Sequence, residues 1–284
     1  MHRILSTYRF SKQPLGPSLI GEIAQSEIRS IEIYCTPGHF NYRSQQAVHD
    51  LAGELGEHGV EVFALHSPTE RDVAPGRESG VPISISDTER IRRIDAMDEV
   101  KRALEVAERI PLRFLVQHIG NGRQMADPRK FDAAFSSLEH LVVFAKARGV
   151  AIALENTPDE LGSPSSLEQF IRETHLHDLK LCFDTGHAHM DAGLAPSFEI
   201  MKHRVALVHL HDNHGEKDEH LLPWEGEIDW TATLKTLASA PEPVQLVLEV
   251  KDQPNSAPSL AQIRSAFDQL EKELGDQSRR AVQS

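Results

Sequence analysis

Eight short apolar runs recur along this chain, each followed by a loop and then a longer segment whose apolar residues fall at helical spacing. Strand-length runs alternating with amphipathic helices specify βα units, and βα units specify a parallel sheet covered by helices. The runs are Arg3–Thr7, Arg29–Tyr34, Val60–His66, Leu112–His118, Val150–Glu155, Leu179–Asp184, Val205–His209 and Val244–Val250. Eight is the number that closes such a sheet on itself, so the expected fold class is α/β, a single (β/α)8 TIM barrel.

The intervening segments support that reading. Phe131, Phe135, Leu138, Val142 and Ala145 follow three- and four-residue steps, as do Leu260, Ile263, Phe267, Leu270 and Leu274. Asp87 is the expected N-cap of a long helix through Ile91, Ile94 and Leu104, and Gly149 is placed to end the Phe131 helix in a left-handed turn. A length of 284 residues fits one barrel, with residues 1–275 as the catalytic domain and 276–284 as a polar tail expected to fray. The proline- and glycine-bearing stretch Ser67–Ser86 follows the third run and reads as a binding loop or a surface insertion.

Thirty Lys and Arg stand against 43 Asp and Glu, a net charge of -13 that opposes diffuse attraction to phosphate backbones or anionic lipid. Nucleic acid is therefore disfavoured as a partner. No run approaches the ~18 apolar residues of a membrane span, and the N-terminal stretch lacks the apolar core of a signal peptide, so a cytoplasmic protein is expected. Cys35 and Cys182 lie on separate apolar strands and read as buried thiols. The 16 histidines are more informative, because several sit where apolar runs end.

Six consecutive strands end in a residue type that ligates metal: His66, His118, Glu155, Asp184, His209 and Glu249. Any one of these alone reads more simply as a helix cap or a solvated loop residue; six in succession do not. Side chains alternate across a strand, so Ala153, Cys182, Leu207 and Val247 share the faces of Glu155, Asp184, His209 and Glu249. In a barrel those apolar partners fill the interior and the polar termini ring the C-terminal mouth, where barrel catalysis takes place. Buried carboxylates without a counter-charge cost several kcal/mol each, so a divalent cation is the natural partner. Glu32, between Ile31 and Ile33, faces the interior and is either an acceptor that orients a ligand histidine or a structural hydrogen-bonding group.

At these residues the chain resembles the xylose isomerase-like barrel superfamily, which includes sugar phosphate isomerases and epimerases and apurinic-site nucleases of the endonuclease IV type. The specific stretches are ENTP from Glu155, CFDTGHAH from Cys182 and HLHDNHGEKDEHLLPWEGEIDW from His209 to Trp230. The resemblance implies that Glu155, Asp184, His209 and Glu249 form a shared four-ligand metal site. It also marks His66, His118, His187, Asp218 and His220 as additional metal or substrate residues, matching the nuclease branch. His189, His211 and His214 are further candidates, some of which must be bystanders. Trp224 and Trp230 read as packing, with Trp224 also placed to meet a substrate.

Mixed histidine and carboxylate ligation suits Zn or Mn first, with Co, Fe and Mg as the other choices. The leading expectation is a metal-dependent isomerase or epimerase of a sugar or sugar phosphate, in which Glu155 and Glu249 act as base and acid beside a metal-chelated carbonyl. The alternative is a metal-dependent phosphoesterase or apurinic-site endonuclease, favoured by the additional ligands. A non-catalytic sugar-binding barrel is opposed by the intact pair of glutamates. A nuclease needs arginines at the mouth; Arg71, Arg77 and Arg123 are sparse among acidic residues. The expected partner is a small sugar, with oligomer formation left open.

Overall fold

A computed structural model of the protein describes residues 2–71, 80–120, 125–252 and 257–283, with side chains through 276. Eight parallel strands form a closed barrel in sequence order: β1 (Ile4–Ser6), β2 (Ser30–Tyr34), β3 (Glu61–His66), β4 (Phe114–Gln117), β5 (Ala151–Glu155), β6 (Lys180–Asp184), β7 (Val205–Leu210) and β8 (Gln245–Leu248). The ring closes where β1 pairs with β8, Ile4 opposite Val247. The chain is thus a (β/α)8 TIM barrel.

Helices cover the outside: α1 (Pro17–Gln25), α2 (Gln45–His58), α3 (Arg90–Glu105), α4 (Pro128–Lys146), α5 (Pro164–Thr174), the short α6 (Thr185–Met190), α7 (Leu194–Met201), α8 (Trp230–Leu237) and α9 (Leu260–Gln283). Local chemistry fixes several ends. Asp127 and Ser163 each accept a backbone N–H at an N-cap and are followed by proline at the first helical position, where the missing N–H has no intrahelical partner to lose. Beyond α4, Gly149 takes a left-handed φ of 72° that lets the chain turn directly into β5.

Two expectations are corrected. Glu89, not Asp87, occupies the N-cap position of α3, and the Asp87 carboxylate instead accepts the Glu89 N–H two residues on, a local turn that competes with capping. The polar C-terminal stretch continues α9 as helix to Gln283, in keeping with its good helix formers Gln, Arg and Ala. The long loop after β3 includes a two-residue antiparallel pairing of Glu70–Arg71 with Val81–Pro82; its centre lies outside the described residues. Among the described residues, no helix is long and apolar enough to cross a membrane.

The core has two parts. The larger lies between the outward strand faces and the helices, and holds Phe170, Phe183, Phe198, Trp230 and Phe267. The smaller fills the barrel itself with Ile4, Phe63, Ala64, Val116, Ala153, Cys182, Leu207 and Val247. It includes all four residues two positions below Glu155, Asp184, His209 and Glu249, and so forms an apolar floor beneath them. Both cysteines are buried and free, and burial pushes their thiols up, which suits packing rather than reactivity. A Leu207→Ala substitution should leave a cavity in this floor and cost ~2–5 kcal/mol; a denaturation midpoint unchanged in urea would contradict that packing.

Candidate metal centre

Directly above the floor lies a polar layer with almost no solvent access. Glu155, Asp184, His209 and Glu249 are each no more than 3% exposed, and ligand atoms from all four lie within 4.8 Å of one another. Two further groups abut this one: His66, His118 and Glu155 on one side, and His187, His211, Asp218 and His220 on the other, each within the same 4.8 Å limit. The structure therefore gathers all nine site residues expected from sequence and adds His211 to them. His214 turns outward to pair with Glu219 at 2.8 Å, and His189 belongs to none of the groups.

Glu155 joins the groups. Its Oε2 lies 3.0 Å from His118 Nε2 and 3.4 Å from His66 Nε2, while its Oε1 lies 3.3 Å from His209 Nδ1 and 3.5 Å from His187 Nδ1. Asp184 holds the second junction. It caps α6 by accepting the His187 N–H at 2.7 Å and also faces His211 Nε2 at 3.0 Å. The cap reading of this residue is realised, and the same carboxylate belongs to the four-residue group.

The histidines are oriented from behind. Backbone carbonyls only accept, so His66 Nδ1 donates to Ser67 O at 3.0 Å, His187 Nδ1 to Asn156 O at 2.8 Å and His220 Nδ1 to Glu249 O at 3.2 Å. His209 Nε2 meets the fully buried Glu32 at 3.1 Å. In each case the opposite ring nitrogen is the one free to face a cation, and an anchored rear nitrogen is the usual support of a metal-ligating imidazole. Every ion pair of Glu32, Glu155, Asp184 and Glu249 among the described residues is with histidine rather than Lys or Arg. Buried Asp218 Oδ1 has no hydrogen-bond partner. These features fit divalent cations.

The charge distribution follows. Burial opposes ionisation of Glu155 and Glu249, but the adjacent histidines, His209 foremost, outweigh it and hold both well below the carboxylate range. Burial likewise opposes protonation of His66, yet the hydrogen bond and charge of Glu155 prevail and push it up to about 9. Burial opposes protonation of His187 and His209 as well, yet both are raised, by Asp184 and Asp218 in the first case and by Glu32, Glu249 and Glu155 in the second. The metal-free centre thus holds protons that an entering cation must displace. Protonated His66 stabilises the metal-free fold fully below about 6.5 and ceases to do so as pH rises through about 9. Stabilisation by added Zn2+ should accordingly grow between those pH values, with proton release on titration in weak buffer; a metal-induced Tm shift that is flat across that range would contradict this account.

One determinant was not visible in the sequence. Asp212 is fully buried and its carboxylate accepts four donors: the Asn213 N–H at 2.9 Å, Ile228 N–H at 3.1 Å, Trp224 N–H at 3.0 Å and Trp230 Nε1 at 2.8 Å. It folds the loop that delivers Asp218 and His220, in which His220 and Trp224 adopt left-handed φ values of 51° and 71°. Non-glycine residues there carry strain that the surroundings must offset. Gly226 packs so close to Asp212 that any β-carbon would overlap it. Trp230 is packing, as expected, with its indole N–H on Asp212. Asp212→Asn should cost ~1.5–3 kcal/mol, as hydrogen bonds to a charged group do, and, because it loosens the loop that presents Asp218 and His220, should lower the metal content of protein loaded with Zn2+. Unchanged metal content in that variant would show that Asp212 does not position the loop.

Arg71 pairs with Asp95 at 3.0 Å, away from the clusters; Arg77 and Arg123 lie outside the described residues.

Fold and site together define a (β/α)8 barrel with a buried histidine and carboxylate centre at its C-terminal mouth. A family model for the xylose isomerase-like TIM barrel matches residues 20–273, and the chain belongs to that family. An uncharacterized protein of Methanocaldococcus jannaschii is 28% identical over 230 residues, which span 78% of this chain and 74% of that one. Among solved structures, a D-tagatose 3-epimerase-like protein superposes with a TM-score of 0.80 at 23% identity, covering 99% of this chain and 100% of that one. The 3-keto-D-glucoside 4-epimerase YcjR of E. coli gives 0.74 at 18% identity, covering 96% and 99%. A xylose isomerase-like TIM barrel protein of Mycobacterium smegmatis in complex with magnesium gives 0.71 at 11% identity, covering 96% of each chain. At these identities the likeness is one of fold.

Proposed function

We propose that the protein is a divalent-metal-dependent phosphoesterase acting on a small, sugar-type phosphate ester. The observation that carries this reading is the position of Glu155, whose Oε2 faces His66 and His118 while its Oε1 faces His209, so that it links neighbouring cation positions. His66, His118 and Glu155 would hold one cation, Glu155, Asp184, His209 and Glu249 a second, and His187, Asp218 and His220, with His211 beside them, a third. Adjacent cations lower the pKa of a water and neutralise charge on a phosphoryl oxygen. The chain supplies the remainder. The apolar floor excludes water from below, Glu32 and the carbonyls of Ser67, Asn156 and Glu249 fix the imidazoles, and the Ser6 hydroxyl, 3.4 Å from Glu249 Oε1, holds that carboxylate toward the centre. The net charge of -13 favours a small ester over a long polyanion.

A second reading, a sugar isomerase or epimerase, is favoured by the pairing of Glu249 and Glu155 on either side of His209, 3.4 and 3.3 Å from its Nδ1. The structural relatives named as epimerases are consistent with it. That chemistry asks each glutamate to keep an oxygen free for a proton on carbon. Glu249 has one whose sole partner is a hydroxyl, whereas both oxygens of Glu155 are engaged.

Elemental analysis with a phosphate-release assay over a panel of sugar phosphates, loaded with Zn2+ or Mn2+, tests the choice. The phosphoesterase reading expects two or three metal equivalents per chain and inorganic phosphate as product. Glu155→Gln should lose at least one equivalent and slow release by at least ~10²-fold, since even loss of an outer support costs ~10–100-fold. One equivalent per chain, together with isomer formation and deuterium wash-in from D2O, would overturn it in favour of proton transfer.

A further inference from the structure

A cavity of about 440 Å³ opens beside the cation clusters on the side of β1, β2 and β8, lined by Tyr8, Lys12, Tyr34, Thr69, Glu70 and Lys251 among others. A row of rings borders it on the side of the clusters. Tyr34 packs 4.9 Å from His66, Tyr8 packs 5.1 Å from His220, and the two tyrosine rings lie 4.4 Å apart. Tyr34 Oη is bonded to Thr69 Oγ1 at 3.3 Å, and burial pushes both phenols up, so they stay neutral. The wall therefore supplies hydroxyls and ring surface but no charge.

The charge comes from lysine. Lys251 lies three residues beyond the end of β8, and its Nζ lies 5.9 Å from the centre of the Tyr8 ring. The Lys251 backbone is fixed by its N–H donating to His220 O at 3.1 Å, so this lysine is tied to the same loop that presents the third cation group. Neither Lys251 nor Lys12 makes an ion pair among the described residues. The two carboxylates of the cavity are already bonded to protein groups: Asp252 pairs with Arg9, and Glu70 accepts the Gly80 N–H at 2.6 Å. Lys12, Lys251 and the Arg9 partner of Asp252 outnumber the two carboxylates, and this local excess of positive charge, in a chain with a net charge of -13, is complementary to an anion.

We infer that this cavity seats a second anionic group of the substrate, a phosphate or a carboxylate, on Lys251 with Lys12 at the rim. This rests on the phosphoesterase reading and narrows it: the ester carries one anionic group toward the cations and another about a sugar's length away. A partly buried charge-assisted contact contributes ~1.5–3 kcal/mol, which corresponds to ~10–150-fold in affinity.

The test is binding to the metal-loaded protein by calorimetry, with matched probes that differ by one anionic group. Glycerol 3-phosphate and 3-phosphoglycerate differ by a carboxylate; fructose 6-phosphate and fructose 1,6-bisphosphate differ by a phosphate. At least one doubly anionic probe should bind ~10-fold or more tightly than its partner, and which pair shows the effect identifies the anion. Lys251→Met should bring the doubly anionic probe down to the affinity of its partner, and Lys251→Arg should restore the preference. Equal affinities within both pairs, or a preference that survives in Lys251→Met, would overturn the inference. Because the readout is affinity, a Lys251-dependent preference stands even where no probe is hydrolysed, and hydrolysis without that preference leaves the reaction class intact while removing the anion seat.

Discussion

The central constraint on this molecule is electrostatic. Glu32, Glu155, Asp184 and Glu249 are buried side by side at the top of an apolar barrel interior, and the only cationic side chains paired with them among the described residues are histidines. Carboxylates in such surroundings must be neutralised, paired or bound to metal. The chain pairs them with groups that can surrender a proton and ligate a cation from the same atom. Much else follows from that arrangement, including the carbonyls behind His66, His187 and His220 and the capping of α6 by Asp184.

The barrel makes this concentration of charge affordable by geometry alone. Parallel strands in sequence order bring every strand end to one mouth, so residues as distant as Glu32 and His209 become neighbours without any long-range sequence signal. Interior residues two positions lower hold the polar layer at a fixed height, since a strand cannot slip by one residue without turning its ligand outward. The helical shell packs over the outer strand faces through Trp230 and the phenylalanines of the outer core.

The strand-borne half of the site was legible because periodicity and geometry coincide there: His66, His118, Glu155, Asp184, His209 and Glu249 all mark strand ends, and alternation predicted what lies beneath them. The inward turn of Glu32 followed from the same rule. His187, Asp218 and His220 were reached through resemblance, because they sit on a short helix and an irregular loop that have no period to read. The role of Asp212 was not legible at all, since its four donors come from positions up to eighteen residues away that only the folded loop brings together. Tyr34 closes β2 itself, whereas Tyr8 and Lys251 lie beyond the ends of β1 and β8, where there is no alternation to read. The Asp87 cap failed for a local reason, the preference of aspartate for its own turn.

The sharing of Glu155 also bears on how such a centre fills. Positions that divide one carboxylate are thermodynamically linked: the first cation takes up part of the negative charge on which the second depends, and the two then repel each other at short range. Under the phosphoesterase reading occupancy would for that reason be graded, each later cation held less firmly than the last, and the number of metals bound would follow supply as much as affinity.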